Sequence, residues 1–250
     1  MTSVTRTEYH QLDAPSLGGR WQVAVHGHWG RPVLWFPSQD GKEWEFENAG
    51  MLDALRPALD AGLIKVYCVP SYDEQSWSAT WKPLTDRVAA HHRFEDWIIW
   101  HVVPFIRDTS GGRDDIAVAG PSLGAFQAVL FALRHAHVFG RAVALSGNYD
   151  PWSWRAWGPS DENTYLASPL QFLPPTGGGH LDFLRERLRL TLVVGSGQWE
   201  DTTGAYDGSH RMAAVLRDKG IDHEFFVWPG WPHDWPSWRA QAALYLPALG

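Results

Sequence analysis

The sequence predicts an α/β protein with a mainly parallel, twisted sheet and helices on both faces. Short apolar runs rich in β-branched residues recur between Gly, Pro and Asp, which is typical of buried strands. Segments with apolar residues at three- and four-residue spacing lie between most of these runs, which is typical of helices packed on a sheet. At 250 residues the chain suits one large core, so we expect a single domain over residues 1–250.

Seven runs are predicted as strands. Only residues 26–32 separate the first two, which is too short for a helical crossover, so we expect these two to pair as an antiparallel hairpin at the start of the sheet. Most of the others are apolar on both faces, which favours parallel pairing. In chain order the predicted strands are Trp21–Val25, Val33–Phe36, Ile64–Val69, Ile116–Ala119, Ala142–Leu145, Leu190–Val194 and Phe225–Trp228.

The clearest helical pattern covers Arg87–Ile106, where apolar residues share one face and Pro104 is expected to kink or end the helix. Further helices are predicted over Leu123–His137, Asp207–Lys219 and Trp238–Leu246.

The longest stretch without periodicity is Asp150–Gly179, which is rich in Trp, Pro and Gly. A loop of this length inside a compact domain is usually functional, so we interpret residues 150–179 as a small cap over a site. The chain has 16 tryptophans, too many to lie deep in one core, so some should line a cleft. Candidates for substrate contact are Trp152, Trp154 and Trp199.

Composition and charge exclude several classes of binding partner. The formal net charge is -7 and no cluster of Lys and Arg is present, so nucleic acid and membrane surfaces are unfavourable partners and a small molecule is expected. The single cysteine, Cys68, cannot form an internal disulfide. Residues 1–10 lack the apolar core of a signal peptide, so we expect a cytoplasmic protein.

A candidate nucleophile lies in Gly120-Pro121-Ser122-Leu123-Gly124, which follows one predicted strand and opens the next helix. A G-x-S-x-G sequence in this context presents the serine hydroxyl at the carboxyl end of the sheet. The N–H of Leu123, at the helix N-terminus, is then a candidate donor to an oxyanion. The alternative is a structural turn whose serine caps the helix.

A serine needs a base, and the base needs an orienting acid. His233 is the candidate base because it lies in a Pro- and Gly-broken loop after the last predicted strand; His180, His210 and His223 are less well placed. The acid should follow the strand Leu190–Val194, where Glu200 and Asp201 are adjacent. Asp150 follows the preceding strand, and spacing does not decide between the three.

A second oxyanion donor is expected in the loop after Val33–Phe36. Pro37 has no N–H, which indicates Ser38 or Gln39. His26 and His28 alternate at a strand end, but no third ligand accompanies them, so we expect no metal and no cofactor.

These residues together resemble the esterase branch of the α/β-hydrolase superfamily that includes esterase D-like enzymes, feruloyl esterases and mycolyltransferases, and within it a little-characterised bacterial group of esterases. The matching segments are Gly27–Pro37, Tyr67–Val69 with Glu74–Trp77, Gly120–Ala125 and His233–Trp238. The resemblance spans most of the chain. It implies an α/β-hydrolase fold, Ser122 as nucleophile, His233 as base and an acid near Trp199-Glu200.

The primary hypothesis is therefore a serine hydrolase that cleaves carboxylic esters of small molecules through an acyl-enzyme. One alternative is an acyltransferase that passes the same acyl group to an alcohol or amine. The other is a catalytically silent module that binds glycans or small molecules through the Trp-rich segment.

Overall fold

The computed structural model describes residues 6–250, and all eight strands in this range form one sheet. The strand order is β1-β2-β4-β3-β5-β6-β7-β8. Strands β3 to β8 run parallel to one another, and β2 runs antiparallel to both of its neighbours, β1 and β4. The strands are β1 (Thr7–Asp13), β2 (Arg20–His26), β3 (Arg31–Trp35), β4 (Ile64–Cys68), β5 (Ile116–Pro121), β6 (Phe139–Leu145), β7 (Arg189–Gly195) and β8 (Asp222–Trp228).

The N-terminal antiparallel hairpin is present, but its strands differ from the predicted pair. It is formed by β1 and β2, whereas β2 and β3 do not pair because β4 lies between them. The prediction that Trp21–Val25 pairs with Val33–Phe36 is therefore wrong. The predicted relative direction of these two strands is right: β2 runs antiparallel to β4 and β3 runs parallel to β4, so β2 and β3 are antiparallel.

Helices cover both faces of the sheet, and two hydrophobic clusters lie under them. Along β3, Leu34 packs into one cluster while Val33 and Trp35 pack into the other, as the alternation of side chains in a strand requires. Helices α1 (Glu45–Asn48), α2 (Met51–Asp60) and α10 (Trp235–Tyr245) cover the second cluster. The first is covered by α3 (Leu84–Trp97), α4 (Val103–Thr109), α5 (Leu123–Arg134), α8 (Gly178–Arg187) and α9 (Ala205–Lys219).

The predicted helix Arg87–Ile106 is replaced by α3 and α4, with a π-helical segment, Ile98–Val102, between them. Pro104 is the second residue of α4. Proline lacks an N–H and its ring clashes with the carbonyl four residues earlier, and the wider π-helical turn makes room for the ring. The proline thus changes the helical geometry before it without ending the helix.

Residues 150–179 contain short helices rather than one open loop. A 3₁₀ turn at Pro151–Ser153 is followed by α6 (Glu162–Leu166) and α7 (Pro169–Phe172), and α8 begins at Gly178. Elements of four or five residues are too short to show a helical period, which is why the sequence predicted none. Across residues 6–250, none of the helices has both the length and the apolar character needed to cross a bilayer.

Candidate active site

Ser122 occupies a sharp turn between β5 and α5, with φ 55° and ψ -118°. This backbone conformation is strained for a residue with a side chain. A Cβ atom at Gly120 or Gly124 would collide with the backbone of Phe36, and one at Gly124 also with the carbonyl oxygen of Pro37. The two glycines are needed because they let the turn lie directly against the end of β3.

The structure brings Ser122, His233 and Glu200 together. The Nε2 atom of His233 lies 2.9 Å from the Oγ atom of Ser122, and its Nδ1 atom lies 3.0 Å from Oε2 of Glu200. The Glu200 side chain is only 1% exposed and that of His233 9% exposed. Ser122 follows β5, Glu200 follows β7 and His233 follows β8. The carboxyl ends of these strands meet at one edge of the parallel sheet. This is the arrangement of a nucleophile, a base and an orienting acid.

The second oxygen of Glu200 is also fixed. Its Oε1 atom accepts the hydroxyl proton of Ser146 at 2.6 Å and the N–H of Gly195 at 3.0 Å. The Oγ atom of Ser146 in turn accepts the indole N–H of Trp238 at 3.2 Å. Ser146 was missed in the sequence, although its position directly after β6 places it at the same edge of the sheet. It orients the carboxylate and does not touch His233 or Ser122.

The loop that carries His233 is attached to the loop that carries Glu200. The N–H of Gly197 donates to the carbonyl of Trp231 at 2.8 Å, and the N–H of His233 donates to the carbonyl of Gln198 at 2.9 Å. These backbone bonds link the two loops independently of the side chains. The acid and the base are therefore held in register before any substrate binds.

The other candidates for the acid bond to different groups. Asp201 is exposed and accepts the N–H of Thr202 at 2.8 Å. Asp150 accepts the N–H of Trp152 at 3.2 Å and lies 3.6 Å from the guanidinium of Arg211. Of the two adjacent carboxylates, the buried Glu200 is the one that contacts His233.

The remaining histidines considered as bases do not reach Ser122. His180 lies on α8, His210 on α9 and His223 on β8. The ring of His210 contacts the carbonyl of Tyr206 at 2.9 Å, and that of His223 contacts the carbonyl of Ile221 at 2.8 Å.

The candidate oxyanion donors lie on α5 and in the loop after β3. Leu123 is the first residue of α5, so its N–H has no partner within the helix. Gln39 lines the same pocket as Ser122 and Leu123. Ser38 does not line this pocket, and its N–H donates to Oε2 of Glu45 at 2.8 Å. Of the two residues expected, Gln39 is therefore the one that remains a candidate.

A pocket of about 610 Å³ opens above Ser122. Among the tryptophans proposed for substrate contact, Trp154 lines it and Trp152 and Trp199 do not. Trp152 packs against the core, and Trp199 is 50% exposed outside the pocket. Sequence reasoning missed most of the wall, because the lining residues come from six separate segments of the chain. The lining comprises Gln39, Trp77, Ser78, Thr80, Ser122, Leu123, Ser146, Asn148, Ser153, Trp154, Arg155, Asp201, Thr202, Thr203, Gly204, Ala205 and His233.

No group of three His, Cys, Asp or Glu side chains that could hold a metal ion occurs between residues 6 and 250. His26 is fully buried, stacks on Phe46 and lies 3.2 Å from the hydroxyl of Thr7. Burial lowers the pKa of His26 to about 4. A neutral histidine packed in this way is part of the core.

Comparison with known proteins identifies similar chains. A family model described as "Putative esterase" matches residues 15–248. A ferulic acid esterase structure superposes with a TM-score of 0.75 at 14% identity, covering 98% of both chains. An S-formylglutathione hydrolase from Staphylococcus aureus gives 0.71 at 16% identity, covering 99% of this chain and 97% of that one.

MPT51 from Mycobacterium tuberculosis gives a TM-score of 0.65 at 15% identity, covering 98% of this chain and 97% of that one. No curated protein matches the sequence. At such low identity the structural likeness shows the fold, which is the α/β-hydrolase fold.

Proposed function

The chain belongs to the esterase family, and from this premise we propose that it cleaves carboxylic esters of small molecules through an acyl-enzyme on Ser122. The observation that carries the proposal is the continuous hydrogen-bond chain from Ser122 through His233 to Glu200, at 2.9 and 3.0 Å. A serine hydroxyl is a weak nucleophile at neutral pH, and this chain supplies the base that activates it.

In the first step, the Oγ atom of Ser122 attacks the ester carbonyl carbon while its proton moves to Nε2 of His233. The negative charge that develops on the carbonyl oxygen is stabilised by the N–H groups of Leu123 and Gln39. Loss of one such donor typically reduces the rate about 100- to 1000-fold. The bond to the alcohol oxygen then breaks, and His233 gives its proton to that oxygen as the alcohol leaves.

In the second step, water attacks the acyl-enzyme while His233 takes one of its protons. The tetrahedral intermediate collapses, the bond between the acyl carbon and Ser122 breaks, and the proton returns to Oγ. Glu200 keeps the imidazole in the tautomer with a proton on Nδ1 and stabilises the imidazolium. The products are the free acid and the alcohol.

We assign residues 150–179 as a cap on the active site within this single domain. The segment contributes Ser153, Trp154 and Arg155 to the pocket wall. The indole of Trp154 packs edge-on against Trp77 and Phe126, which makes a rigid apolar wall. Such a wall favours esters with an aromatic or bulky apolar group.

The substrate assignment is tested with Trp154→Ala on a series of aryl and short alkyl esters. We expect KM for aryl esters to rise about tenfold and KM for acetate esters of small alcohols to change less than threefold, since about 1.4 kcal/mol of apolar contact is lost. Trp157→Ala is the matched control, because Trp157 lies in the same segment, is 51% exposed and does not line the pocket. Equal effects of Trp154→Ala on both ester classes would remove the assignment.

The reaction is tested by labelling with a fluorophosphonate probe, read by intact mass. We expect the wild type to take up one label and Ser122→Ala and His233→Ala to take up none. Ser153→Ala and His210→Ala, a serine of the same pocket and a histidine outside it, should label like the wild type. An unlabelled wild type that is also inactive on an ester panel would contradict the proposal and favour a binding module.

A further inference from the structure

Residues 38–41, here called the oxyanion loop, are held by a carboxylate at each end. Glu45 accepts both the N–H and the hydroxyl of Ser38, at 2.8 and 2.6 Å. At the other end, Oδ2 of Asp73 accepts the N–H of Asp40 at 3.2 Å. The N–H of Gln39 lies between these two anchored residues, so its direction depends on both.

The anchor at Asp40 is needed because of its backbone conformation. Asp40 has φ 59°, in the left-handed region that favours glycine and, among residues with a side chain, asparagine and aspartate. Contacts from outside the loop add to the stability of this conformation. The carboxylate of Asp73 supplies such a contact, because it accepts the backbone N–H of Asp40.

Asp73 also contacts the helix that carries the nucleophile. Its Oδ1 atom accepts the amide N–H of Gln127 at 3.1 Å, and Gln127 is buried on α5, the helix that begins directly after Ser122. One carboxylate therefore joins the oxyanion loop to the helix. Since the other donor, the N–H of Leu123, belongs to that helix, this contact fixes the separation of the two N–H groups.

The segment around Asp73 is itself rigid. The N–H of Ser78 donates to the carbonyl of Asp73 at 2.8 Å, and the N–H of Ser71 donates to the carbonyl of Gly41 at 2.9 Å. The side-chain amide of Gln39 donates to the hydroxyl of Ser78 at 2.9 Å. Residues 71–78 thus form a fixed base for the whole loop.

The buried carboxylate of Asp73 lowers the stability of the fold. It is 1% exposed, and none of the groups that the structure places in hydrogen-bond contact with its carboxylate is a cation. Burial raises the pKa of Asp73 to about 7, against the opposing effect of the bond from Asp40. A buried carboxylate without a cation destabilises a fold, which points to a role in function.

We propose that Asp73 is a positioning residue that sets the oxyanion hole, by fixing the N–H of Gln39 relative to the N–H of Leu123 through its bonds to Asp40 and Gln127. This inference rests on the proposed esterase function. Asp73 touches no substrate and acts through the loop. A displacement of a catalytic donor by about 1 Å can cost about 100-fold in rate.

The test compares Asp73→Leu with Asp73→Asn, using 4-nitrophenyl acetate. Leucine offers no acceptor, so the N–H of Asp40 and the amide of Gln127 lose their partner. Asparagine can keep both contacts when the side-chain amide of Gln127 turns over by 180°. The asparagine oxygen then accepts from Asp40, and its amide donates to Oε1 of Gln127, which has no partner in the wild type. We expect Asp73→Leu to lower kcat and kcat/KM together about 10- to 100-fold with KM within twofold, and Asp73→Asn to keep kcat within threefold.

Glu74→Leu is the matched control. Glu74 is the neighbouring acid, its side chain is 65% exposed, and it contacts Lys42 at 3.4 Å. We expect kcat within twofold of the wild type. If Asp73→Leu behaves like Glu74→Leu, or if Asp73→Asn falls as far as Asp73→Leu, the positioning role is wrong.

A second variant covers the case in which Asp73→Leu does not fold, as judged by urea unfolding. Gln127→Met keeps the carboxylate on Asp40 but removes its link to α5, and we expect kcat to fall about 3- to 10-fold with KM unchanged. An unchanged kcat in Gln127→Met would then overturn the inference. A wild type that neither labels with fluorophosphonate nor cleaves the ester overturns the proposed function and this inference with it, whereas an active wild type isolates the inference.

Discussion

Glu200 shows how burial and hydrogen bonds select one of two adjacent carboxylates. Its Oε1 atom already accepts two protons, from Ser146 and Gly195, which leaves Oε2 for His233. Asp201 has no such surroundings, since it is exposed and bonds its neighbour Thr202. The sequence places both residues after the same strand, and only the turn between Gly195 and Glu200 decides which side chain enters the core.

We therefore expect Glu200→Gln to lower kcat/KM about 1000-fold or more. The glutamine oxygen would stay with Ser146 and Gly195, so its amide N–H would face Nδ1 of His233 and force the wrong tautomer, as happens when the acid of such a triad is converted to its amide. Asp201→Asn should change kcat/KM by less than tenfold. Ester hydrolysis under the same conditions measures both variants, and a larger loss in Asp201→Asn would assign the acid to Asp201 instead.

At the scale of elements, the turn between β5 and α5 is packed against the end of β3 backbone to backbone. A Cβ at Gly124 would overlap the carbonyl oxygens of Phe36 and Pro37, the two residues that lead into the oxyanion loop. The same contact therefore serves the nucleophile and the loop. Any residue larger than glycine has to push these two elements apart.

We expect Gly124→Ala to lower the free energy of unfolding by about 1 to 3 kcal/mol, as overpacking of a core does, and to lower kcat as well. The matched control is Gly179→Ala on α8, where nothing lies within 4 Å of the new Cβ. That substitution should stabilise the protein by about 0.5 to 1 kcal/mol, because alanine favours a helix. Urea unfolding of both variants gives the comparison, and a Gly124→Ala variant as stable as Gly179→Ala would show that the turn can relax.

The elements that the sequence predicted well are those with a strong local pattern. Strands β4 to β8 and helices α5, α9 and α10 lie at or within a few residues of their predicted bounds. Strand β1 was missed because its sequence, TEYHQLD, is polar and it is only half buried. The pairing of β2 with β4 joins strands about 40 residues apart in the chain, which no local pattern reveals.

The candidate site divides in the same way. Ser122 and His233 follow strands and carry recognisable neighbours, so position alone makes them candidates, and the structure places Nε2 of His233 2.9 Å from Oγ of Ser122. Ser146, Asp73 and Gln127 act through contacts between distant segments, and their side chains are common in ordinary loops and helices. The positions of Trp152 and Trp199 could not be predicted, because which indole faces the pocket depends on the turns at Pro151–Ser153 and around Trp199, which has φ 68°.

At the scale of the whole molecule, buried ionisable groups of opposite type set the dependence of stability on pH. Burial lowers the pKa of His91 to about 3. Below about pH 6.5, His91 is therefore protonated in the unfolded chain but not in the folded chain, and stability falls as the pH drops. Burial raises the pKa of Asp73 to about 7, so the folded chain binds the extra proton and stability falls as pH rises from about 4 to 7. The two contributions oppose each other between pH 5 and 7.

We therefore expect His91→Leu and Asp73→Asn to change the pH dependence of stability in opposite directions. Between pH 7 and pH 5, the free energy of unfolding should fall by about 2 kcal/mol less in His91→Leu than in the wild type, and about 2 kcal/mol more in Asp73→Asn. Urea unfolding at the two pH values measures this. If both variants changed the pH dependence of the free energy of unfolding in the same direction, the pKa shift given for His91 or for Asp73 would be wrong.

The link between β2 and β3 also bears on the order in which the sheet can assemble. Residues 27–30 join the two strands while leaving a slot one strand wide between them, which β4 fills. Side-by-side pairing of β2 and β3 would form within microseconds because the link is so short. It would also occupy the slot. Until residues 64–68 have left the ribosome, the edges of β2 and β3 that face each other lack their native neighbour, β4. A hairpin of β2 and β3 that forms at this stage is non-native. Its two strands have to separate before β4 can enter the sheet.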